Sequence, residues 1–432
     1  MELVELVKIA IIALVAAGSV LAFLKKPVAS AGASLCANVL LLVYAFCLLS
    51  VAADPVLLAV LGLGCFCVAF CIAFRRKIDP SIPSLAIALG SFILLAGYIC
   101  AGEDASPSYA LGTACGCVAI LLSQPLRSHL SKLALTRKQA IALGAVLIFV
   151  GSTLYVPVFF FWGEMNYGIG GAIELGPVSV LVSPLRVVLF LSGIAVLWPH
   201  ASKPVFYSLC VMVVCCMLGD GAGPTICLIL GLVPLVWRTG GTVSFVMFLA
   251  SALAVFLAVC LPYLSSIAAK NTALVLNADG SAFSTTVGIQ AIMNAGFFGF
   301  PVESIPPTPS AQAGYALASV GQLFGWVGIA VAVAASAVVV MLLAKRARTA
   351  VSASCVACIA TVALLGLGCF ATPYVYPPLF AGTWEVTTGG FLVVGVLSVG
   401  AFCPSERKAN GRSSGDRLAE GGEKGRAAAS RL

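Results

Sequence analysis

Few side chains in this sequence could do chemistry, and they stand out against a chain that is 61% hydrophobic and only 9% charged. Arg186 lies about a third of the way into an apolar run, in Val182-Ser183-Pro184-Leu185-Arg186, where Pro184 loosens the helix and frees carbonyls for it. A charge deep in a bilayer costs about 2.5 to 3.5 kcal/mol, so this guanidinium either faces a protein interior or wet cavity, or snorkels to the interface. Asp220 sits in the hairpin Leu218-Gly219-Asp220-Gly221-Ala222-Gly223-Pro224 between two short apolar runs. About 15 residues at 1.5 Å each rise only some 22 Å, less than a bilayer core. The hairpin is therefore expected to stop below the surface and either line a cavity or be buried in protein; the alternative is a plain turn Asp near the headgroups. Asp279 precedes Gly280 in the one long loop, about 269 to 312, where it reads on local grounds as a turn residue. Lys270 opens that loop, and Gln290 lies in a semi-apolar stretch, Thr285 to Phe300, suited to a short interfacial helix over a bundle mouth.

The 17 cysteines point to no chemistry. Cys65 and Cys67, Cys115 and Cys117, Cys215 and Cys216, and Cys355 and Cys358 are spaced like paired ligands, but they fall inside apolar runs with no second tetrahedral half nearby. The only histidines, His129 and His200, flank basic loops. No metal-ligand set and no Ser/His/Asp triad is legible, and in lipid Cys serves as a small packing residue.

The elements that must position these residues are membrane helices. Mean hydropathy is +1.10, and soluble domains carry about a quarter charged residues, so a soluble globule is excluded. Runs long enough to cross a hydrocarbon layer of roughly 30 Å predict an all-α, polytopic membrane bundle of about 13 transmembrane helices. They fall near 7 to 24, 33 to 53, 55 to 74, 82 to 101, 107 to 124, 139 to 162, 178 to 198, 204 to 218, 222 to 237, 243 to 268, 313 to 344, 352 to 371 and 389 to 403.

Basic residues cluster after odd-numbered spans: Lys25 and Lys26; Arg75, Arg76 and Lys77; Arg127, Lys132, Arg137 and Lys138; Lys203; Arg238; Lys345, Arg346 and Arg348; and the tail. The even-numbered loops carry acids, with Lys270 their one basic residue. The positive-inside rule then places the N-terminus outside and the C-terminus in the cytoplasm. The acidic start Met1-Glu2-Leu3-Val4-Glu5, with its lysines after the apolar run, predicts a retained span and not a signal peptide. The net charge of +8 is explained by basic loops meeting an anionic leaflet, membrane lipid being the partner and nucleic acid not. Residues 405–432, rich in Gly, Ser, Ala, Arg and Glu, predict a disordered basic cytoplasmic tail.

The order of pieces from the long loop onward resembles the SEDS family (shape, elongation, division, sporulation) of bacterial wall polymerases and cell-cycle proteins, which includes FtsW, RodA and SpoVE. The residues that carry this resemblance are Asp279-Gly280, the Gln290 to Gly299 stretch ending in Gly-x-x-Gly, Ile305-Pro306-Pro307, and Ala318-Ser319-Val320-Gly321-Gln322-Leu323-Phe324-Gly325-Trp326-Val327-Gly328. Upstream, Asp220-Gly221-Ala222-Gly223-Pro224-Thr225 resembles the family's Pro-Asp-x-Gly-Thr hairpin. Asn166-Tyr167-Gly168 and Val182 to Arg186 fall where the family has its Asn-Gly-x-Arg-Arg loop and Gln-Pro-Ser-Glu span start. The resemblance implies a ten-helix core over 81–404, with 1–80 as three extra N-terminal transmembrane helices. The chain departs from the family pattern at Ala313-Gly314-Tyr315, at Gln322 in place of a Glu, at Gly170 and Gly171 in place of paired arginines, and at Leu185-Arg186.

What the resemblance implies is a peptidoglycan glycosyltransferase in the bacterial cytoplasmic membrane, polymerising lipid-linked disaccharide (lipid II) at the outer face for cell division or cell-shape control. Asp279 would be the catalytic general base on the acceptor sugar hydroxyl. Lys270, Arg186, Asp220 and Gln290 would bind substrate, the cations facing the charge that builds on the leaving diphosphate. A divalent cation, Mg or Mn, held with Asp220 or by substrate phosphates would complete the charge balance, and a class B penicillin-binding protein is the implied partner. The lost motif residues leave two alternatives open: a catalytically degenerate member that binds lipid-linked precursor or regulates a divisome or elongasome partner, and a lipid-precursor transporter (flippase).

Overall fold

A computed structural model of the 432-residue chain describes residues 2–48, 55–75, 79–101, 136–154, 172–175, 178–217, 222–276, 290, 293–305 and 316–347, with isolated helical turns between 110 and 122 and at 356–357. Nine helices and one hairpin organise these described residues. They are α1 (Glu2–Phe23), α2 (Pro27–Leu48), α3 (Pro55–Ala73), α4 (Ser81–Ala101), α5 (Arg137–Thr153), β1 (Ala172–Leu175), β2 (Val178–Leu181), α6 (Val182–Leu197), α7 (Lys203–Met217), α8 (Ala222–Leu276) and α9 (Ala316–Arg346). Among the described residues five stretches are long and apolar enough to cross a membrane: Val4–Phe23, Pro27–Cys47, Pro55–Ala73, Ser81–Cys100 and Leu317–Lys345. The protein is an all-α polytopic membrane protein, as its apolar runs require.

Local chemistry sets several helix ends. Lys25 adopts a left-handed backbone (φ 59°) that closes α1, and Pro27 opens α2 at a position whose missing N–H costs nothing. Thr136 caps α5: its hydroxyl accepts from the Gln139 N–H at 3.4 Å, while the Gln139 side chain accepts from the Thr136 N–H at 3.0 Å.

Among the described residues three buried clusters result: two larger cores, and a small cluster of Cys67, Val68, Cys71, Ile87, Cys117 and Ile120. The first joins α1, α2, α3, α4 and α9 through Ile11, Leu41, Leu61, Leu85, Phe92, Val320 and Phe324, so the three N-terminal helices share one interior with α4 and α9. The Phe92 and Phe324 rings stack at 4.1 Å. Small polar residues line the seams: the Ser30 hydroxyl donates to the Gly18 carbonyl at 2.8 Å, and Gly64 lets Asn38 and Ser91 approach α3. Close packing of small residues is what joins helices where lipid is as apolar as the side chains. The second core joins α5, α6, α7 and α8 through Ile148, Phe190, Phe206, Val213 and Leu232. Here a Cβ on Gly193 would stand 3.0 Å from the Gly144 carbonyl, so α5 and α6 meet backbone to backbone.

The backbone departs from the sequence expectation in three places. Val178–Leu181, expected to start a span, pair antiparallel with Ala172–Leu175, and the helix begins only at Val182. The expected loop at Arg238 between spans 222 to 237 and 243 to 268 is helical, running within the one helix Ala222–Leu276. The Trp237 and Phe245 rings meet edge to face across this stretch at 5.2 Å. Finally, α8 stays helical to Leu276, so the long loop opens after Lys270 and not at 269. The expected spans at 352 to 371 (apart from 356–357) and 389 to 403 lie outside the described residues, as does the tail.

Candidate functional site

The glycine-rich part of the long loop and the glycine-rich start of α9, which follows it in the chain, interlock. Gly325 (φ 70°, ψ −165°) breaks α9 into two helical pieces. In an unbroken helix the Trp326 and Val327 amides would donate to the Gln322 and Leu323 carbonyls, four residues back. Instead Trp326 N–H donates to Gly296 O at 3.2 Å and Val327 N–H to Phe297 O at 3.3 Å, while the Gln322 carbonyl accepts from Phe300 N–H at 2.7 Å. Residues 296–300 thus substitute for a turn of the helix ladder, satisfying backbone groups that lipid could not. Only glycine fits the contact: Gly296, Gly299 and Gly325 all have positive φ. A Cβ on Gly299 would land on the Leu323 carbonyl, and one on Gly325 on the Gly299 amide and Phe297 carbonyl.

A residue that the sequence reading passed over completes this junction. Lys8, within the apolar stretch Val4–Phe23, is 1% exposed. Its Nζ forms an ion pair with Glu5 at 3.0 Å and donates to the Phe300 carbonyl at 3.1 Å. The signal was available: an i, i+3 Glu5/Lys8 pair, with a basic residue on the side where the charge alternation allows almost none.

Around the interlock, Met293 and Phe297 are each 67% exposed, with Phe298 and Trp326 also exposed, forming an apolar margin beside the break. Gln290 begins a helical turn and is exposed. Gln322 is fully buried, so the position that resembles a family Glu carries a neutral amide inside the junction.

Arg186 lies in the second core, 3% exposed. Its Nε donates to Gly151 O at 2.7 Å and an Nη to Cys216 O at 2.9 Å, and its guanidinium lies 5.5 Å from the centre of the Phe190 ring. Both acceptors are carbonyls near helix C-termini, of α5 and α7, which lack intrahelical donors and carry partial negative charge. Of the two expected placements, interior or snorkelling, the structure shows the interior one. The α7–α8 hairpin starts beside it: Thr225, buried, donates to Met217 O at 3.0 Å across the turn. Asp220 itself lies between these flanks, at 218–221, outside the described residues. Asp279 also lies outside them, and Lys270 is on α8 with its side chain outside them. Among the described residues no group of three His, Cys, Asp or Glu side chains could hold a metal ion.

Comparison with known proteins gives one kind of match. No family model and no curated protein matches the chain. Its fold is similar to that of a solved chain from a peptidoglycan synthase complex, in a structure concerned with the coordination of polymerization and crosslinking. The two share 16% sequence identity and a TM-score of 0.50, over 74% of this chain and 95% of the other.

Proposed function

We propose that this chain is a divergent SEDS-type protein that polymerises lipid-linked disaccharide at the outer face of the bacterial cytoplasmic membrane, together with a class B penicillin-binding protein. The observation that carries the reading is the fold, whose likeness extends over 95% of a chain from a peptidoglycan synthase complex. The interlock adds support, because it joins the two segments on which the family resemblance rests.

In this reading Asp279 is the carboxylate base that takes the proton from the acceptor hydroxyl as that oxygen attacks the donor's anomeric carbon. The bond to the undecaprenyl diphosphate breaks with inversion, and the electron pair leaves on the diphosphate. Lys270, with Asp220 and Gln290, binds the headgroup. Arg186, committed to two carbonyls, serves the headgroup by holding the hairpin that carries Asp220. The apolar margin of Met293, Phe297, Phe298 and Trp326 suits the polyprenyl chain. A divalent cation, if the substrate's phosphates bring one, adds charge neutralisation at the diphosphate.

The test is a reconstitution with lipid-linked disaccharide, with and without the penicillin-binding protein, comparing wild type with Asp279→Asn. The expected outcome is chain growth by wild type and a loss of about 100-fold or more in the variant. Equal growth by both proteins would remove Asp279 from the mechanism. The buried, uncharged Gln322 favours a second reading, a non-catalytic member that binds the precursor or regulates its partner. That reading gains if neither protein makes glycan while both retain the precursor.

A further inference from the structure

We infer that α1 is a built-in clamp on the long loop, with Lys8 as a positioning residue that holds the 296–300 segment in the break of α9. The Phe300 backbone is held at both of its polar groups: the N–H by the Gln322 carbonyl of α9, and the carbonyl by Lys8 of α1, 292 residues away in sequence. Lys8 is 15 residues from Phe23, so about 22 Å of helix rise separates it from the other end of α1. That end is anchored to α9 as well, where the Lys345 amine lies 5.5 Å from the centre of the Phe23 ring. The two helices therefore run parallel and fix the level at which Lys8 meets the break.

A lysine near a helix end ordinarily extends its amine to the interface. This one turns inward, with Glu5 balancing its charge, and its stem occupies the first core. Downstream of Phe300, Pro301 and the short 3-10 turn Val302–Ser304 follow, with Val302 and Ile305 packed against that core. Upstream, the exposed Met293, Phe297 and Phe298 leave the segment dependent on its fastenings to α9 and α1. Lys8 thus sets the position of the 296–300 segment, in the same loop as Gln290. The clamp stands on geometry alone, while its effect on turnover rests on the function proposed above.

Backbone hydrogen exchange of the full-length protein in lipid nanodiscs, read by mass spectrometry, tests this with Lys8→Met, Lys8→Gln and Lys8→Arg. In Lys8→Met, amides at 297–300 and 326–327 should exchange about ten- to hundred-fold faster, the weight of one hydrogen bond from a charged donor, with α7 unchanged. Lys8→Arg, which keeps a cationic donor, should return to within about three-fold of wild type. Unchanged exchange at 297–300, or equal acceleration in α7, overturns the clamp. Should Lys8→Met fail to fold, Lys8→Gln is judged on the same peptides by the same criterion.

In the polymerisation assay Lys8→Met should lower kcat about ten-fold with KM changed less than about two-fold, and Lys8→Arg should restore it. Loosened peptides with unaltered kcat overturn the positioning role. A wild type that makes no glycan counts against the proposed function, and the exchange experiment still decides the clamp.

Discussion

The two larger cores among the described residues solve the same problem with different residues. Each contains backbone carbonyls left without helical partners within an apolar environment, and each brings a buried cation to them. In the α5–α8 core the carbonyls belong to helix ends, and Arg186 spans two of them with one planar fork. In the α1–α4 and α9 core the carbonyl belongs to an inserted loop, and the point-like amine of Lys8 meets it with Glu5 beside it. The difference is instructive. Arg186 ties together helices that are neighbours in sequence, whereas Lys8 ties the beginning of the chain to a loop and helix near its other end. The first arrangement is local reinforcement, and the second makes an N-terminal helix part of the loop's support.

Breaking the backbone junction should have the largest effect. Gly299→Ala and Gly325→Ala each force a side chain into backbone and a residue into positive φ. A loss on the order of 3 to 5 kcal/mol is expected, visible as lower melting temperature and poor monodispersity in detergent. Arg186→Met should cost about 2 to 4 kcal/mol by orphaning two carbonyls. Arg186→Lys should recover only part, because one ammonium cannot reproduce the fork. The comparison sharpens if hydrogen exchange in Arg186→Met rises in α5 and α7 but not at 297–300; a rise in both cores would mean that they are one cooperative unit. The smallest effect belongs to Met293→Ser, an exposed position, with a stability change within about 0.5 kcal/mol. A drop in turnover without a stability change would then mark Met293 as a substrate contact.

Much of the architecture was legible in advance because a bilayer leaves so few options. Helices α1 to α4 and α9 follow from the length of their apolar runs, and Arg186 followed from the cost of a charge in such a run. The continuation of α8 past Arg238 was not, because Arg238-Thr239-Gly240-Gly241-Thr242 carries the same composition whether the chain reverses or stays helical. Nor was the short strand pair, since Val178–Leu181 is as apolar as the helix it precedes. Lys8 escaped notice for a related reason: near a helix end, sequence alone does not separate a snorkelling lysine from a buried one.

Sequence by itself determined that this is a polytopic helical membrane protein, which charges its spans can tolerate, and which glycine-rich segments resemble a wall-polymerase family. Those conclusions rest on one-dimensional quantities: hydropathy, charge and spacing. Only the tertiary structure decided that Gly296 to Phe300 fills the break at Gly325, that Arg186 turns inward to two helix ends, and that Lys8 reaches Phe300. Each is a hydrogen bond between residues distant in the chain, whose strength depends on distance and angle, and the order of residues does not specify either.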